Sequence, residues 1–291
     1  MHVDSNPHSI LDSKLFDQHM QDFLIQTLEQ DDCPSNLKDS IVYSVCAPGK
    51  RLRPRLFCAV AKALGISYQA ILPAAVGIEC IHTFTLIHDD MPCMDNSDLR
   101  RGKLSNHKQF SESIALLAGD GLFALGIEMF LRCEVDAAQL LEGLRFLLKQ
   151  VGVQGVVGGQ AQEELLMQSP SLEGLLAVHR KKTGALFRAS IEIPAIFAGA
   201  RGEVRSLIDE LAQTVGFVFQ IVDDLEDLEV SPKSILMYWE DATILAHCEE
   251  RLRRVKEKMA QPEFGLTSLL SLVDELEQKL DTARQGSLGS Q

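Results

Sequence analysis

The sequence predicts an all-α fold: one large helical domain over residues 1–291, longer than a four-helix bundle. Three observations carry this. Apolar residues recur at helical spacing along most of the chain. Alternating strand patterns bounded by turn pairs are scarce. Several segments, ESIALLAGDGLFALGIEMFL among them, are apolar nearly all round, as the central helices of a large core are.

The elements follow in order. LFDQHMQDFLIQTLEQ (15–30) sets Leu15, Phe16, His19, Phe23, Leu24 and Leu28 along one side of an amphipathic helix. PRLFCAVAKALG (54–65) opens on Pro and closes on Gly, the favoured asymmetry of helix ends. Further helices are expected over 70–91, 111–132, 136–151, 171–199, 203–229 and 238–259. Residues 1–12 and 284–291 read as loose tails, and no repeat or low-complexity segment interrupts the chain.

Hydrophobic residues make up 46% and charged residues 24%, enough apolar content for a sizeable core. The net charge of −13 argues against a nucleic-acid partner, which needs a basic face. No apolar stretch reaches the roughly 18 uncharged residues of a membrane span, so none is expected. Met1 to Phe16 carries Asp4 and Asp12 without the basic-then-apolar order of a secretory signal. Seven cysteines (Cys33, Cys46, Cys58, Cys80, Cys93, Cys133, Cys248) lack paired or metal-ligand spacing and read as reduced thiols of a cytoplasmic protein.

Basic residues gather in three groups: Lys50, Arg51, Arg53 and Arg55; Arg100, Arg101 and Lys103; Arg180, Lys181 and Lys182. Each adjoins Gly, Pro or Thr beside an apolar run, which suits anion capture better than a solvated helix face. Arg251, Arg253 and Arg254, following Glu249 and Glu250, read as an exposed helix face instead. The single Trp239 reads as structural.

Two acidic clusters carry the chemistry. HDDMPCMDNSDLRRG (88–102) packs Asp89, Asp90, Asp95 and Asp98 directly after the apolar run CIHTFTLI. Carboxylate oxygens suit hard cations, and Mg²⁺ typically bridges one or two of them to a substrate's phosphates. The EF-hand alternative fails, because its Gly and Glu positions are not met. In FQIVDDLEDLE (219–229), Asp223 and Asp227 lie four apart on one helix face. Like charges there repel, and a shared cation reverses the sign.

With these residues in place, the chain resembles the trans-isoprenyl diphosphate synthases. The resemblance runs from about Ser44 to Asp227 through GKRLRP (49–54), HTFTLIHDDMPCMDNSDLRRGKLSNHK (82–108), GGQ (158–160), HRKKTGAL (179–186) and FQIVDD (219–224). It implies a helical bundle around a central cavity, usually homodimeric, and a prenyltransferase acting on small diphosphates. It implies three Mg²⁺ ions held by Asp89, Asp95, Asp223 and Asp227, with Asp90 and Asp224 in support. Arg100, Lys182, Thr183 and Gln220 are implied to hold the allylic diphosphate, the last three also serving the allylic cation. Lys50, Arg53, His82 and Arg101 are implied to hold isopentenyl diphosphate without metal. Ionisation, condensation and elimination follow, with the released pyrophosphate as base.

Phe84, with Thr85 beside it, is implied to floor the chain-length cavity. Together with the Pro92–Cys93 pair this points to farnesyl diphosphate. Geranyl or geranylgeranyl synthesis, or a non-catalytic subunit of a heteromeric synthase, are the alternatives. Cys93 is expected to pack, and Gly158 and Gly159 to permit close helix approach rather than cradle phosphate. Two departures stand out. Glu163 occupies a position where the family has Asp, and DLEDLEVSPKSILMYW passes almost directly to the next helix where a lysine-bearing loop is usual. Lys233 is a candidate to replace that lysine.

Overall fold

Helices supply nearly all the regular structure in the computed structural model, which describes residues 13–30, 32–227, 231–239 and 241–288. Among the described residues the only sheet is a two-residue antiparallel pair, Leu99–Arg100 (β1) with Lys103–Leu104 (β2). The all-α reading is borne out. By its internal contacts the chain divides into two units, Met1–Ala59 with Ser67–Asp136, and Val60–Ile66 with Ala137–Gln291.

The first unit holds α1 (Ser13–Gln30), α2 (Ser35–Val45), most of α3 (Leu52–Ala63), α4 (Tyr68–Asp89), α5 (Asn106–Gln109) and α6 (Glu112–Leu131). Its core is the crossing of α4 and α6. A Cβ on Gly77 would lie 2.6 Å from the Gly126 carbonyl oxygen, and one on Gly126 would lie 2.5 Å from Ile81 Cγ1. The two backbones therefore touch only because both positions lack a side chain. Ile71, Val76, Ile78, Ile81 and Ile87 bury the rest of α4. By length and apolarity alone, α4 and α6 would each pass as a membrane span. Most of α4 is buried inside the protein, as a core helix is, whereas α6 leaves Leu116, Leu117 and Leu131 exposed.

The second unit contains α7 (Ala137–Val151), α8 (Val156–Gln168), α9 (Leu172–His179), α10 (Ala185–Phe197), α11 (Gly202–Asp227), α12 (Asp241–Met259) and α13 (Leu270–Leu288). Every residue of α10 but Arg188 is buried, including Glu192, whose carboxylate accepts from Arg188 Nε at 2.6 Å and Arg205 Nη2 at 3.2 Å. That pairing offsets the cost of a buried charge.

The helices expected from periodicity appear within a few residues of their stated bounds. The stretch expected as one helix over 171–199 is α9 and α10 joined by a π-helical turn, Arg180–Gly184. Helices α2, α5, α8 and α13 were not among those expected from periodicity. α8 carries Gly158 and Gly159 in its first turn, where they dilute the apolar pattern, and α2 is short and rich in Ser. At the C-terminus α13 continues to Leu288; residues 1–12 and 289–291 of the expected tails lie outside the described residues.

Candidate active site

In the first unit, α4 delivers the first aspartate cluster. The chain folds back after the helix so that the Asp95 amide donates to the Asp89 carbonyl at 2.9 Å, with Asn96 in the left-handed region at φ 49°. Two carboxylate residues are thereby joined at one helix end. Asp95 is exposed, and Asp89 is half-buried. Asp90 is only 2% exposed and is gripped by Arg100, whose Nε donates to both carboxylate oxygens at 3.1 Å. This bond pushes the Arg100 pKa up and fixes its plane, leaving Nη1 as the donor outside the pair. Asp98, at the end of the cluster, is paired with Lys108 at 2.8 Å. Cys93 is exposed, which corrects the expectation that it packs: it lies on the turn, after the buried helix has ended.

The basic residues of GKRLRP and RRG meet around a buried carboxylate, Glu79. Arg51, at φ 45°, donates to Glu79 Oε1 at 2.7 Å, to Asp17 Oδ1 at 2.5 Å and to the Ala47 carbonyl at 2.7 Å. Arg101 Nη2 lies 3.9 Å from the same Glu79 oxygen. A Cβ on Gly49 would sit 2.9 Å from Arg101 Nη1, so glycine lets the Lys50 segment approach that guanidinium. Arg53 Nη1 lies 3.4 Å from His82 Nε2, with the arginine as donor. Removal from water, then the charges of Arg53 and Arg101, drive the His82 pKa well below its ordinary value. His82 is therefore a neutral imidazole. Arg53, His82 and Arg101 share one neighbourhood, and exposed Lys50 stands at its edge, beside Gly49.

Sequence reasoning did not single out Glu79. Its signal was a lone acid inside the apolar run of α4.

In the second unit, Lys182, Thr183 and Gln220 line one polar cavity of about 240 Å³, together with Glu163, Asp224 and Lys233. The π-helical turn supplies the first two. It packs against α8 because Gly159 has no side chain: a Cβ there would come within 2.5 Å of the Lys182 amide nitrogen. The close-approach reading of Gly159 is borne out. Thr183 Oγ1 donates to Gln220 Oε1 at 2.7 Å, and Gln220 Nε2 donates to Asp224 Oδ1 at 2.8 Å. Asp224 Oδ2 in turn accepts the Ile235 amide at 2.8 Å. Asp224 is thus spent on structure, consistent with a supporting carboxylate.

Glu163 accepts from Lys182 Nζ at 2.8 Å and has Lys233 Nζ at 3.6 Å. The longer acid reaches both ammonium groups, and Lys233 does enter this cavity. His179 closes the wall: its Nε2 donates to the Lys233 carbonyl at 3.3 Å, while Nδ1 is buried without a hydrogen-bond partner. His179 opens the HRKKTG motif, where the charge of Arg180, Lys181 and Lys182 is the stronger signal. Asp223, half-buried, does not line this cavity. Asp227 ends the α11 backbone, and its side chain lies outside the described part.

Among the described residues no three His, Cys, Asp or Glu side chains converge on a ready-made metal site. The donor set nevertheless fits Mg²⁺. This ion keeps waters and substrate phosphates in its shell and takes only one or two carboxylates, which the tied Asp89–Asp95 pair offers.

Phe84 is buried and packs edge-on against Phe123 and His88, with ring centroids 5.4 and 5.7 Å away. Half-buried Thr85 turns its hydroxyl back to the His82 carbonyl at 2.7 Å.

Comparison with known proteins places the chain in a family. The polyprenyl synthetase family model matches residues 34–241. A farnesyl diphosphate synthase of Bacillus subtilis (strain 168) is 42% identical over 211 residues, 71% of each chain. Another, of Geobacillus stearothermophilus, is 39% identical over 224 residues, 75% of each. Among solved structures, a geranyltransferase from Legionella pneumophila superposes with a TM-score of 0.82 at 26% identity, covering 94% of this chain and 97% of that one. With the motifs in order and the family model spanning most of its length, the chain belongs to the polyprenyl synthetase family.

Proposed function

We propose that this protein is a prenyltransferase that condenses isopentenyl diphosphate with dimethylallyl or geranyl diphosphate to give farnesyl diphosphate. The observation that carries the reading is the cavity where Lys182, Thr183 and Gln220 stand together, tied to Asp224. Its two ammonium groups suit a diphosphate, and the hydroxyl and amide are fixed dipoles suited to a neighbouring carbocation.

Asp89, Asp95, Asp223 and Asp227 are the proposed holders of Mg²⁺, which when bound neutralises charge on the diphosphate that leaves. Lys182 and the remaining Nη1 of Arg100 bind that diphosphate. The C–O bond breaks with its electron pair on pyrophosphate, and the isopentenyl double bond closes the new C–C bond. A proton then leaves to the pyrophosphate. Lys50, Arg53 and Arg101 keep the other diphosphate in place as donors, with neutral His82 beside them, and no metal is needed because that group stays attached.

Two further readings belong here. We infer a homodimer, supported by the exposed apolar face of α6 at Leu116, Leu117 and Leu131; light scattering that gives a monomer mass at micromolar concentration would refute it. We also infer a cytoplasmic location, supported by seven free thiols, of which Cys58, Cys133 and Cys248 are pushed up to about 12 by burial. Fractionation that finds the protein outside the cytoplasm would overturn it.

The central test is incubation of purified protein with labelled isopentenyl diphosphate, each allylic primer and Mg²⁺, followed by chain-length analysis. The fifteen-carbon product is expected. Asp89→Ala and Asp223→Ala should each lower kcat by about three orders of magnitude or more. Near-normal turnover in both variants would remove the metal-assisted reading.

A further inference from the structure

A second cavity, of about 270 Å³, lies in the same unit on the other side of the π-helical turn, and the proposed reaction does not use it. His179 and Gly184 belong to its wall, so it shares the turn that carries Lys182 and Thr183. Its lining holds three arginines and two histidines and no carboxylate, in a chain with 41 acidic against 28 basic residues. That imbalance is opposite to the protein as a whole.

The arginines are not equivalent. Arg188 is committed to Glu192 and Asp209, at 2.6 and 2.8 Å. Arg180 and Arg251 have no ion-pair partner among the described residues. Arg251 instead sets its guanidinium carbon over the Phe217 ring, 4.7 Å from the centroid. On the same wall Trp239 and His247 stack at 5.1 Å with only 11° between their planes. Flat aromatic faces favour a planar ligand body, and uncommitted guanidinium groups favour an anionic end. His179 adds a buried nitrogen without a partner between this cavity and the diphosphate cavity.

We propose that this cavity is a second ligand site, for a small anion carried on a planar aromatic ring. Its occupancy is read by the turn that bears Lys182 and Thr183, so ligand there alters allylic substrate binding. Neither Arg180 nor Arg251 has been placed in the catalytic machinery, and both side chains are exposed.

The chain's only tryptophan, Trp239, reports on the cavity directly, without reference to activity. Phenyl phosphate is the probe, with inorganic phosphate and phenol supplying the anion and the ring separately. A saturable change in Trp239 emission is expected with phenyl phosphate, with affinity about tenfold or more above that of either half. Arg180→Gln/Arg251→Gln should weaken it by at least about tenfold with circular dichroism unchanged. Arg251→Gln alone serves if the double variant does not fold. With the site filled, the allylic KM should move in the unmodified protein and stay fixed in the variant. The absence of a saturable response up to about 10 mM would overturn the proposal. So would a response that persists in the variant, because the probe then sits elsewhere.

Discussion

Phe84 is the side chain proposed to floor the chain-length cavity. It lies five residues before Asp89 on α4, about 7.5 Å back along the helix axis. Its ring is braced edge-on by Phe123, so it is held rather than free to swing aside. Phe84→Ala should open the floor below the growing chain and shift the product from farnesyl to geranylgeranyl diphosphate or longer, with Mg²⁺ dependence retained. Product analysis by chromatography checks this; an unchanged distribution would place the floor elsewhere. The charged residues of the site were legible in the sequence because charge beside an apolar run is costly and therefore visible. What they are bonded to was not. Nothing in spacing indicates that Arg100 spends two nitrogens on Asp90, or that Glu79 lies under Arg51 and Arg101, since those contacts are made by tertiary folding.

At the scale of elements, helix type was readable wherever the apolar stripe was long. It failed where glycine or a short polar segment hid a helix, as in α8, α2 and α5, and α13 was missed as well. The π-helical turn was also invisible, because a widened turn leaves the residue pattern nearly unchanged. The crossing of α4 and α6 makes a sharp prediction from glycine positions. Gly126→Ala would drive its methyl against Ile81, and about 1–3 kcal/mol of stability should be lost in urea unfolding. Gly121→Ala on the same helix is the control: its methyl would meet only Ile41 Cδ1 at an ordinary 3.7 Å, so helix propensity should make it neutral or stabilising. Equal midpoints for the two variants would show that the crossing is looser than the contact distances imply.

For the molecule as a whole, two imidazoles set a pH window. His82 has its folded pKa lowered well below the ordinary 6.5, chiefly by loss of water, and His179 is lowered by the same cause. Above about pH 6.5 both states leave His82 neutral, and its linkage costs nothing. As pH falls through 6.5, the unfolded chain takes up a proton that the folded one refuses. Stability should therefore fall at up to about 1.4 kcal/mol per pH unit for this group until its folded pKa is reached. The midpoint of thermal unfolding should be flat above pH 7 and decline toward pH 5. His82→Gln should make that decline shallower; an identical slope would remove His82 as its source.

The bond from Asp224 to the Ile235 amide has a consequence for engineering. It stakes the chain down at Ile235, while α11 anchors it up to Asp227. An insertion between two fixed stakes costs mainly closure entropy, about 0.6 kcal/mol for each doubling of length. The protein is therefore a ready host for a transplanted lid, in which loops of graded length can be exchanged as cassettes while the scaffold beneath stays put.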